Sequence, residues 1–246
     1  MPMNLNPGPA NEPNPEGEKI VSGRTTLSGE VSIPKGAGAV VLFAHGSGSS
    51  RHSPRNQQVA RTLRAAGLGT VLFDLLTEAE EAQDMKTRHL RFDIALLAGR
   101  LADATRWITS QPSAQNMKVG YFGSSTGAAA ALTAAVELPD KVGAVVSRGG
   151  RPDLAGAALP DVKAATLLLV GERDEVVVDL NKQALAKLRC EKELKIIPRA
   201  THLFEEAGAL EEAARLAVDW FRTYLRRRCP ASFDASRRLP QARKWI

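Results

Sequence analysis

Cysteines and long apolar runs are scarce in this sequence of 246 residues. Its two cysteines, Cys190 and Cys229, give neither a disulfide pairing pattern nor the spacing of metal ligands. Because so few cysteines are typical of a reducing compartment, we expect a cytoplasmic protein. No apolar run approaches the ~20 residues that a helix needs to span a bilayer, so we expect no membrane segment.

Both ends of the chain differ in composition from the rest. Residues 1–18 are rich in Pro, Asn, Gly and Glu and lack the apolar core of a signal peptide, which predicts a flexible leader. Much of the formal net charge of +6 lies at the arginine-rich C-terminal end. Such a tail can bind phosphate backbones non-specifically, but we favour a solvated tail that aids solubility. Its aromatic residues allow a third alternative, in which the tail docks on the domain or on another subunit. We expect a leader at 1–18, one domain at 19–228 and a basic tail at 229–246, with no specific nucleic-acid partner.

Apolar runs alternate with helical patterns in the predicted domain. Val21–Ile33 alternates polar and apolar residues, which predicts an antiparallel hairpin at the edge of a sheet. The runs that follow are continuously apolar, as in strands covered on both faces. They are Ala39–Ala44, Gly69–Phe73, Val119–Phe122, Val142–Val146, Thr166–Val170 and Leu194–Ile197.

Helical periodicity occupies the segments between these runs. The predicted helices are Asn56–Ala66, a long one from Leu90 to Ile108, Thr126–Leu138, Asp179–Leu188 and Leu210–Leu225. The polar segment Thr77–Thr87 predicts a connection that covers the site or is simply a solvated loop. Strands that alternate with helices predict an α/β fold, a three-layer sandwich of a mostly parallel sheet with helices on both faces, whose chemistry gathers at the carboxyl ends of the strands.

One turn carries the pattern Gly-x-Ser-x-Gly, with Ser125 between Gly123 and Gly127. It joins a strand-like run to an alanine-rich helical run, and so sharp a reversal holds the central serine in strained backbone geometry with its hydroxyl exposed. Glycines two residues to either side leave room where a Cβ would collide. We therefore predict that Ser125 is a nucleophile, the alternative being a structural turn.

A serine nucleophile needs a base within hydrogen-bond reach and an acid that orients the base. Of the four histidines, His202 follows the last short strand, so we predict it as the general base rather than as a capping or core histidine. The acid should follow the preceding strand, where Asp174 lies past the Gly171 turn and before an apolar pair. We favour Asp174, with Glu172 and Glu175 as alternatives.

The oxyanion of an acyl-transfer intermediate also needs donors. The backbone N–H of Thr126, at a helix N-terminus, is one candidate. The N–H of Ser47 is the other, because the glycine-rich loop around it lets the backbone approach a substrate closely. We expect the preceding His45 to shape this loop rather than to act as a second base.

Four arginines follow predicted strands near the same edge. Converging guanidinium groups can hold a carboxylate or phosphate through paired hydrogen bonds, so we predict a substrate-binding role. The alternative is ordinary surface charge, or salt bridges to Asp153 and to the acids of Thr77–Thr87. The four are Arg51, Arg55, Arg148 and Arg151.

These motifs together, in this order, resemble the α/β-hydrolase superfamily over Val21–Leu225, and most closely its dienelactone-hydrolase-like branch. The resemblance implies an α/β-hydrolase fold with an eight-stranded, mostly parallel sheet, hydrolysis through an acyl-enzyme, and neither cofactor nor metal. The dienelactone hydrolases use a cysteine nucleophile where this chain has Ser125, which favours a general carboxylic ester or thioester role. The segments that carry the resemblance are His45–Gly48, Gly123–Gly127, Gly171–Asp174 and Thr201–His202.

The hypothesis that follows is a serine hydrolase acting on a small ester, thioester or lactone, possibly an anionic one. Two alternatives keep the fold: a non-catalytic binding or scaffold protein, and an acyltransferase that uses the same three side chains. The sequence leaves open the identity of the substrate and the oligomeric state.

Overall fold

The computed structural model describes residues 17–225, so nearly all of the predicted leader and the whole predicted tail lie outside the described residues. Within this range the chain forms one eight-stranded sheet in the order β1-β2-β4-β3-β5-β6-β7-β8. The two pairs that β2 forms, with β1 and with β4, are antiparallel, and the other five pairs are parallel. The predicted fold class is confirmed. The strands are β1 Glu18–Ser22, β2 Thr25–Ser32, β3 Ala39–Ala44, β4 Gly69–Phe73, β5 Lys118–Ser124, β6 Val142–Arg148, β7 Ala165–Gly171 and β8 Lys192–Ile197.

The described range contains six α-helices, and five of them cover the two faces of the sheet. Helices α1 and α6 pack on one face, and α3, α4 and α5 pack on the other. The helices are α1 Pro54–Ala65, α2 Glu78–Thr87, α3 Ile94–Ser110, α4 Thr126–Glu137, α5 Glu175–Lys187 and α6 Ala209–Tyr224. No helix between residues 17 and 225 is long and apolar enough to cross a membrane.

Strand β3 shows why the central runs are apolar at every position. Val40 and Leu42 face the core under α3 and α4, whereas Val41 and Phe43 face the core under α1 and α6. All six residues of β3 are buried, because side chains that alternate between two covered faces never reach solvent.

Helix α2 corrects the interpretation of Thr77–Thr87 as a loop. Thr77 is its N-cap: its hydroxyl accepts the Glu80 N–H, and the Glu80 carboxylate accepts the Thr77 N–H at 2.8 Å. This reciprocal pair is a capping box, and the Thr-x-x-Glu spacing that predicts one is present in the sequence. The helix buries only Asp84, so hydrophobic periodicity gave no signal.

The long predicted helix from Leu90 to Ile108 is also shorter than expected. Residues Leu90–Phe92 form a separate 3₁₀ turn, and α3 begins at Ile94. Asp93 separates the two elements, because its side chain accepts the N–H of Leu96 at 3.0 Å and caps the new helix.

Candidate active site

The turn from β5 into α4 holds Ser125 in an unusual backbone conformation. Its φ of 49° and ψ of −123° lie in a region that L-residues rarely adopt. A Cβ on Gly123 would lie 2.8 Å from the backbone nitrogen of Ala128, and one on Gly127 would collide with the carbonyl oxygen of Ala44. The two glycines are therefore required by the close approach of the turn to the neighbouring backbone.

His202 and Asp174 meet at the same edge of the sheet. The Nδ1 atom of His202 lies 2.6 Å from Oδ2 of Asp174, and because an ionised carboxylate only accepts, Nδ1–H is the donor. The imidazole is thereby held with Nε2 free to take a proton. The other two acids of this loop have different places: Glu172 accepts the N–H of Arg199, and Glu175 begins α5.

Ser125 and His202 line one cavity of about 210 Å³ at the carboxyl ends of the parallel strands. Asp174 does not line the cavity itself, but it contacts His202, which does. A larger groove of about 1130 Å³ adjoins the cavity and shares part of the 46–55 loop with it, but neither Ser125 nor His202 lines the groove. The smaller cavity is therefore the candidate active site.

The two residues predicted to supply the oxyanion donors, Ser47 and Thr126, lie side by side in the folded chain. The hydroxyls of Ser47 and Thr126 lie 3.1 Å apart, and Thr126 is the first residue of α4. A Cβ on Gly46 would lie 3.0 Å from the Cβ of Ser125, so the loop passes directly beside the nucleophile candidate. The loop of Ser47 and the start of α4 therefore both lie beside Ser125, and the role of their backbone N–H groups as oxyanion donors stays a prediction.

His45 holds the loop that carries Ser47 in place. Its buried ring accepts the Leu75 N–H at Nε2, over 2.9 Å, and Nδ1 lies 3.0 Å from the Gly46 carbonyl oxygen, to which it donates. Because Nε2 accepts an N–H, the ring is neutral and both of its nitrogens are occupied. Burial also lowers the pKa of His45. These contacts fit a loop-shaping residue and leave no nitrogen for a second base.

Two of the four arginines, Arg51 and Arg151, contact acids and lie outside the cavity. Arg51 contacts the Asp74 carboxylate through its side chain and its backbone N–H, and Arg151 forms two hydrogen bonds of 2.7 and 2.8 Å to Asp153. Neither arginine lines the cavity that holds Ser125. A substrate-binding role for this pair stays a prediction that their contacts do not favour.

Arg55 and Arg148 do line the cavity. Arg55 lies in the first turn of α1 and contacts Glu205 at 3.0 Å, and Arg148 is the buried last residue of β6. These two arginines therefore share the cavity with Ser125, whereas Arg51 lines only the adjoining groove and Arg151 reaches Ser125 only through its backbone N–H, 3.0 Å from the Ser125 carbonyl oxygen.

The comparison with known proteins decides the family. A family model described as the dienelactone hydrolase family matches residues 27–225. The chain belongs to the dienelactone hydrolase family. Family and fold indicate a hydrolase.

Individual relatives agree with this membership. A dienelactone hydrolase from Anabaena variabilis, known from a crystal structure, is 59% identical with a TM-score of 0.84, and the match covers 87% of this chain and 99% of that one. A serine hydrolase homologue from Coxiella burnetii is 20% identical with a TM-score of 0.68, covering 85% and 96% of the two chains, and shows the fold alone.

Two proteins of Mycobacterium tuberculosis are 53% identical over 207 residues, and their names give phosphoribosyl transferase as a provisional activity. The match covers 84% of this chain and 46% of each relative. This family member thus spans about half the length of the curated relatives it matches.

Sequence reasoning missed two polar residues of the cavity in this dienelactone hydrolase family member. Asn56 and Ser124 are buried, and their side-chain oxygens lie 3.4 Å apart. The available signal was Asn56 itself, a polar residue on the buried face of the predicted helix. Among residues 17–225, no cluster of three or more His, Cys, Asp or Glu side chains is placed to hold a metal ion.

Proposed function

We propose that this protein is a serine hydrolase that cleaves a small carboxylic ester, thioester or lactone through an acyl-enzyme on Ser125. One observation carries the proposal: the strained Ser125 shares its cavity with His202, whose Nδ1 lies 2.6 Å from Asp174. A nucleophile, a base and an orienting acid are the groups that acyl transfer to serine requires.

The proposed reaction begins when Ser125 Oγ attacks the carbonyl carbon and gives its proton to Nε2 of His202. The carbonyl oxygen becomes an oxyanion, held by the backbone N–H groups of Ser47 and Thr126. Each such donor is worth on the order of 3 kcal/mol in the transition state. When the tetrahedral intermediate collapses, the bond to the leaving oxygen or sulfur breaks, and His202 returns the proton to that atom.

Water completes the cycle in the same way. His202 takes a proton from water as the water oxygen attacks the acyl carbon, and the second collapse returns that proton to Ser125 Oγ and releases the acid. Asp174 stabilises the imidazolium that forms twice in the cycle. A lactone differs only in that its leaving alcohol stays attached to the acyl group.

A fluorophosphonate probe followed by peptide mass spectrometry tests this proposal. We expect one label on Ser125, turnover of p-nitrophenyl esters of graded chain length, and loss of both in Ser125→Ala. Ser110→Ala is the matched control, because Ser110 is on the exposed side of α3 and its hydroxyl donates to the Trp107 carbonyl. Failure of the probe to label Ser125 would favour a non-catalytic binding protein of the same fold.

An acyltransferase would use the same chemistry with another acceptor. Adding excess alcohol or amine to the ester assay separates the two cases. Hydrolysis is supported if water captures the acyl group in competition, and transfer is supported if the added acceptor captures it almost completely.

Phosphoribosyl transfer is a second candidate, because it appears in the names of relatives that are 53% identical. We rank it below hydrolysis, since the matched segment is 46% of those relatives and the cavity groups are those of acyl transfer. Incubation with phosphoribosyl diphosphate and nucleobases tests it, and release of diphosphate would support it.

A further inference from the structure

Arg148 differs from the other arginines of this region in having no acidic partner. Its Nη2 donates to the Ser124 hydroxyl at 3.0 Å. Its Nε and Nη1 are buried and have no hydrogen-bond partner among residues 17–225. By contrast, Arg51, Arg55 and Arg151 each contact a carboxylate.

A buried guanidinium without a counter-charge is costly. Removing an ion from water carries a large penalty unless an opposite charge and hydrogen bonds compensate it. The Phe204 ring, whose centroid lies 5.6 Å from the Arg148 guanidinium carbon, offers only a cation–π contact, which compensates a small part of that penalty.

Arg148 nevertheless carries its charge. Burial, followed by the positive charge of Arg55, lowers the pKa of Arg148 to about 10, which is still well above neutral pH. The influence of Arg55 also shows that two positive charges act on the same small volume. A buried positive charge on Arg148 with no acidic partner is explained if a bound anion supplies the missing negative charge.

The cavity has the chemistry of an anion site. Its lining, all within the described residues, contains Arg55 and Arg148 and no Asp or Glu. Neutral donors complete the lining: the hydroxyls of Ser49 and Ser53 and the amide of Asn56. At about 210 Å³ the cavity is below the ~300–1,000 Å³ typical of pockets for whole ligands, so it fits one small group beside the reacting carbonyl.

We infer that this cavity is a subsite for a phosphomonoester group of the substrate, held by the guanidinium groups of Arg148 and Arg55. The inference rests on the proposed function in that the same substrate presents its ester, thioester or lactone carbonyl to Ser125. The adjoining groove of about 1130 Å³ receives the remainder of the molecule.

A phosphomonoester fits this lining better than a carboxylate. It carries a charge of about −1.5 to −2 at neutral pH and three acceptor oxygens. A carboxylate is satisfied by two parallel N–H groups of a single arginine, which would leave the second guanidinium and the hydroxyls without a use. Three oxygens can engage both arginines and the surrounding donors together.

Calorimetric titration of the full-length Ser125→Ala protein with inorganic phosphate tests the inference. We expect saturable binding of one phosphate, with acetate at equal ionic strength binding at least tenfold more weakly. Adding Arg148→Met should weaken phosphate binding at least tenfold, and Arg148→Lys should restore part of it. Arg215→Met, an exposed arginine on α6, is the matched control and should change nothing.

Three outcomes would overturn the inference: no saturable binding of phosphate, an affinity for phosphate that Arg148→Met leaves unchanged, or acetate binding as tightly as phosphate or more tightly. A folding failure is recognised by the melting temperature, which should stay equal or rise in Arg148→Met because an uncompensated buried charge is removed. If that variant does not fold, Arg55→Gln, at a half-exposed position, gives the same test with an expected loss of several-fold. Because binding is measured without the Ser125 hydroxyl, its result is independent of whether Ser125 is the nucleophile.

Discussion

The imidazole of His202 contacts the carboxylate of Asp174 over 2.6 Å, although the two residues are 28 positions apart in the sequence. The contact joins the loop after β7 to the loop after β8, and these are neighbouring parallel strands. The proposed base and its proposed orienting acid are therefore held by loops that follow two neighbouring strands of one sheet.

This contact predicts a large loss of activity in Asp174→Asn. An amide would favour the wrong tautomer of His202, and a loss of about 10⁴-fold in kcat is the scale for such a change in a serine triad. The measurement is p-nitrophenyl ester turnover, with folding checked by circular dichroism. Glu172→Gln and Glu175→Gln are the matched controls, and a larger loss in either of them would show that the acid has been assigned to the wrong residue.

The backbone of Ser125 predicts that glycine is more stable than alanine at this position. A φ of 49° with a ψ of −123° strains any residue with a Cβ, at a cost of about 1–3 kcal/mol. After the extra entropy of a glycine in the unfolded chain, about 0.5–1 kcal/mol, is subtracted, Ser125→Gly should still exceed Ser125→Ala in the free energy of unfolding by about 1 kcal/mol. Urea denaturation of both variants measures the difference, and equal midpoints would argue that the strain of the turn is no larger than that entropy.

Gly127→Ala should prevent the native turn from forming. The added Cβ meets the carbonyl oxygen of Ala44, a backbone atom that cannot move aside cheaply. We expect little folded protein, or a loss of more than about 3 kcal/mol in the free energy of unfolding. The matched control is Gly99→Ala in α3, where the new Cβ meets open space and should stabilise the helix by about 0.5–1 kcal/mol.

The ion pair between Glu80 and Arg100 predicts a pH-dependent contribution to stability. Arg100 donates to both carboxylate oxygens, at 2.7 and 2.5 Å, and these hydrogen bonds lower the pKa of Glu80 to about 2. Because the folded-state pKa lies below the unfolded value of ~4.3, the contribution is fully present above that value and is lost as the pH falls toward 2.

Glu80→Gln should accordingly cost about 2 kcal/mol at pH 7, the scale of a hydrogen bond to a charged group. The difference from wild type should shrink when both proteins are unfolded by urea at pH 3. Glu78→Gln, one helix position into α2, is the control and should show little change at either pH. A penalty for Glu80→Gln that is the same at both pH values would contradict the assignment.

Most of the sheet could be predicted from the sequence because its strands are buried on both faces. Continuously apolar runs such as Ala39–Ala44 predict buried strands directly. The hairpin at Val21–Ile33 shows the alternation of polar and apolar residues that is expected at the edge of a sheet. Helix α2 was missed because it is stabilised by other means. Its capping box and its ion pair to Arg100 depend on side chains that no hydrophobic pattern records.

The candidate site could be predicted only in part, because several of its contacts join residues that are distant in the sequence. The turn at Ser125 is local in the chain, so its motif can be recognised there. Which of Glu172, Asp174 and Glu175 meets the histidine depends on a contact between distant loops. The arginines were placed at the correct edge, but their acid partners, such as Asp74 for Arg51, come from other strands and appear only when the chain is folded.

Four residues line both the cavity and the adjoining groove: Ser47, Ser49, Ser53 and Arg55. They all lie on the short connection between β3 and the first turn of α1, whereas Ser125, Asp174 and His202 are carried by other connections. Exchanging residues 48–55 for those of a relative would therefore reshape both compartments in a single graft and leave Ser125, Asp174 and His202 in place. Sequence changes confined to this one connection would thus alter the shape of both compartments at once.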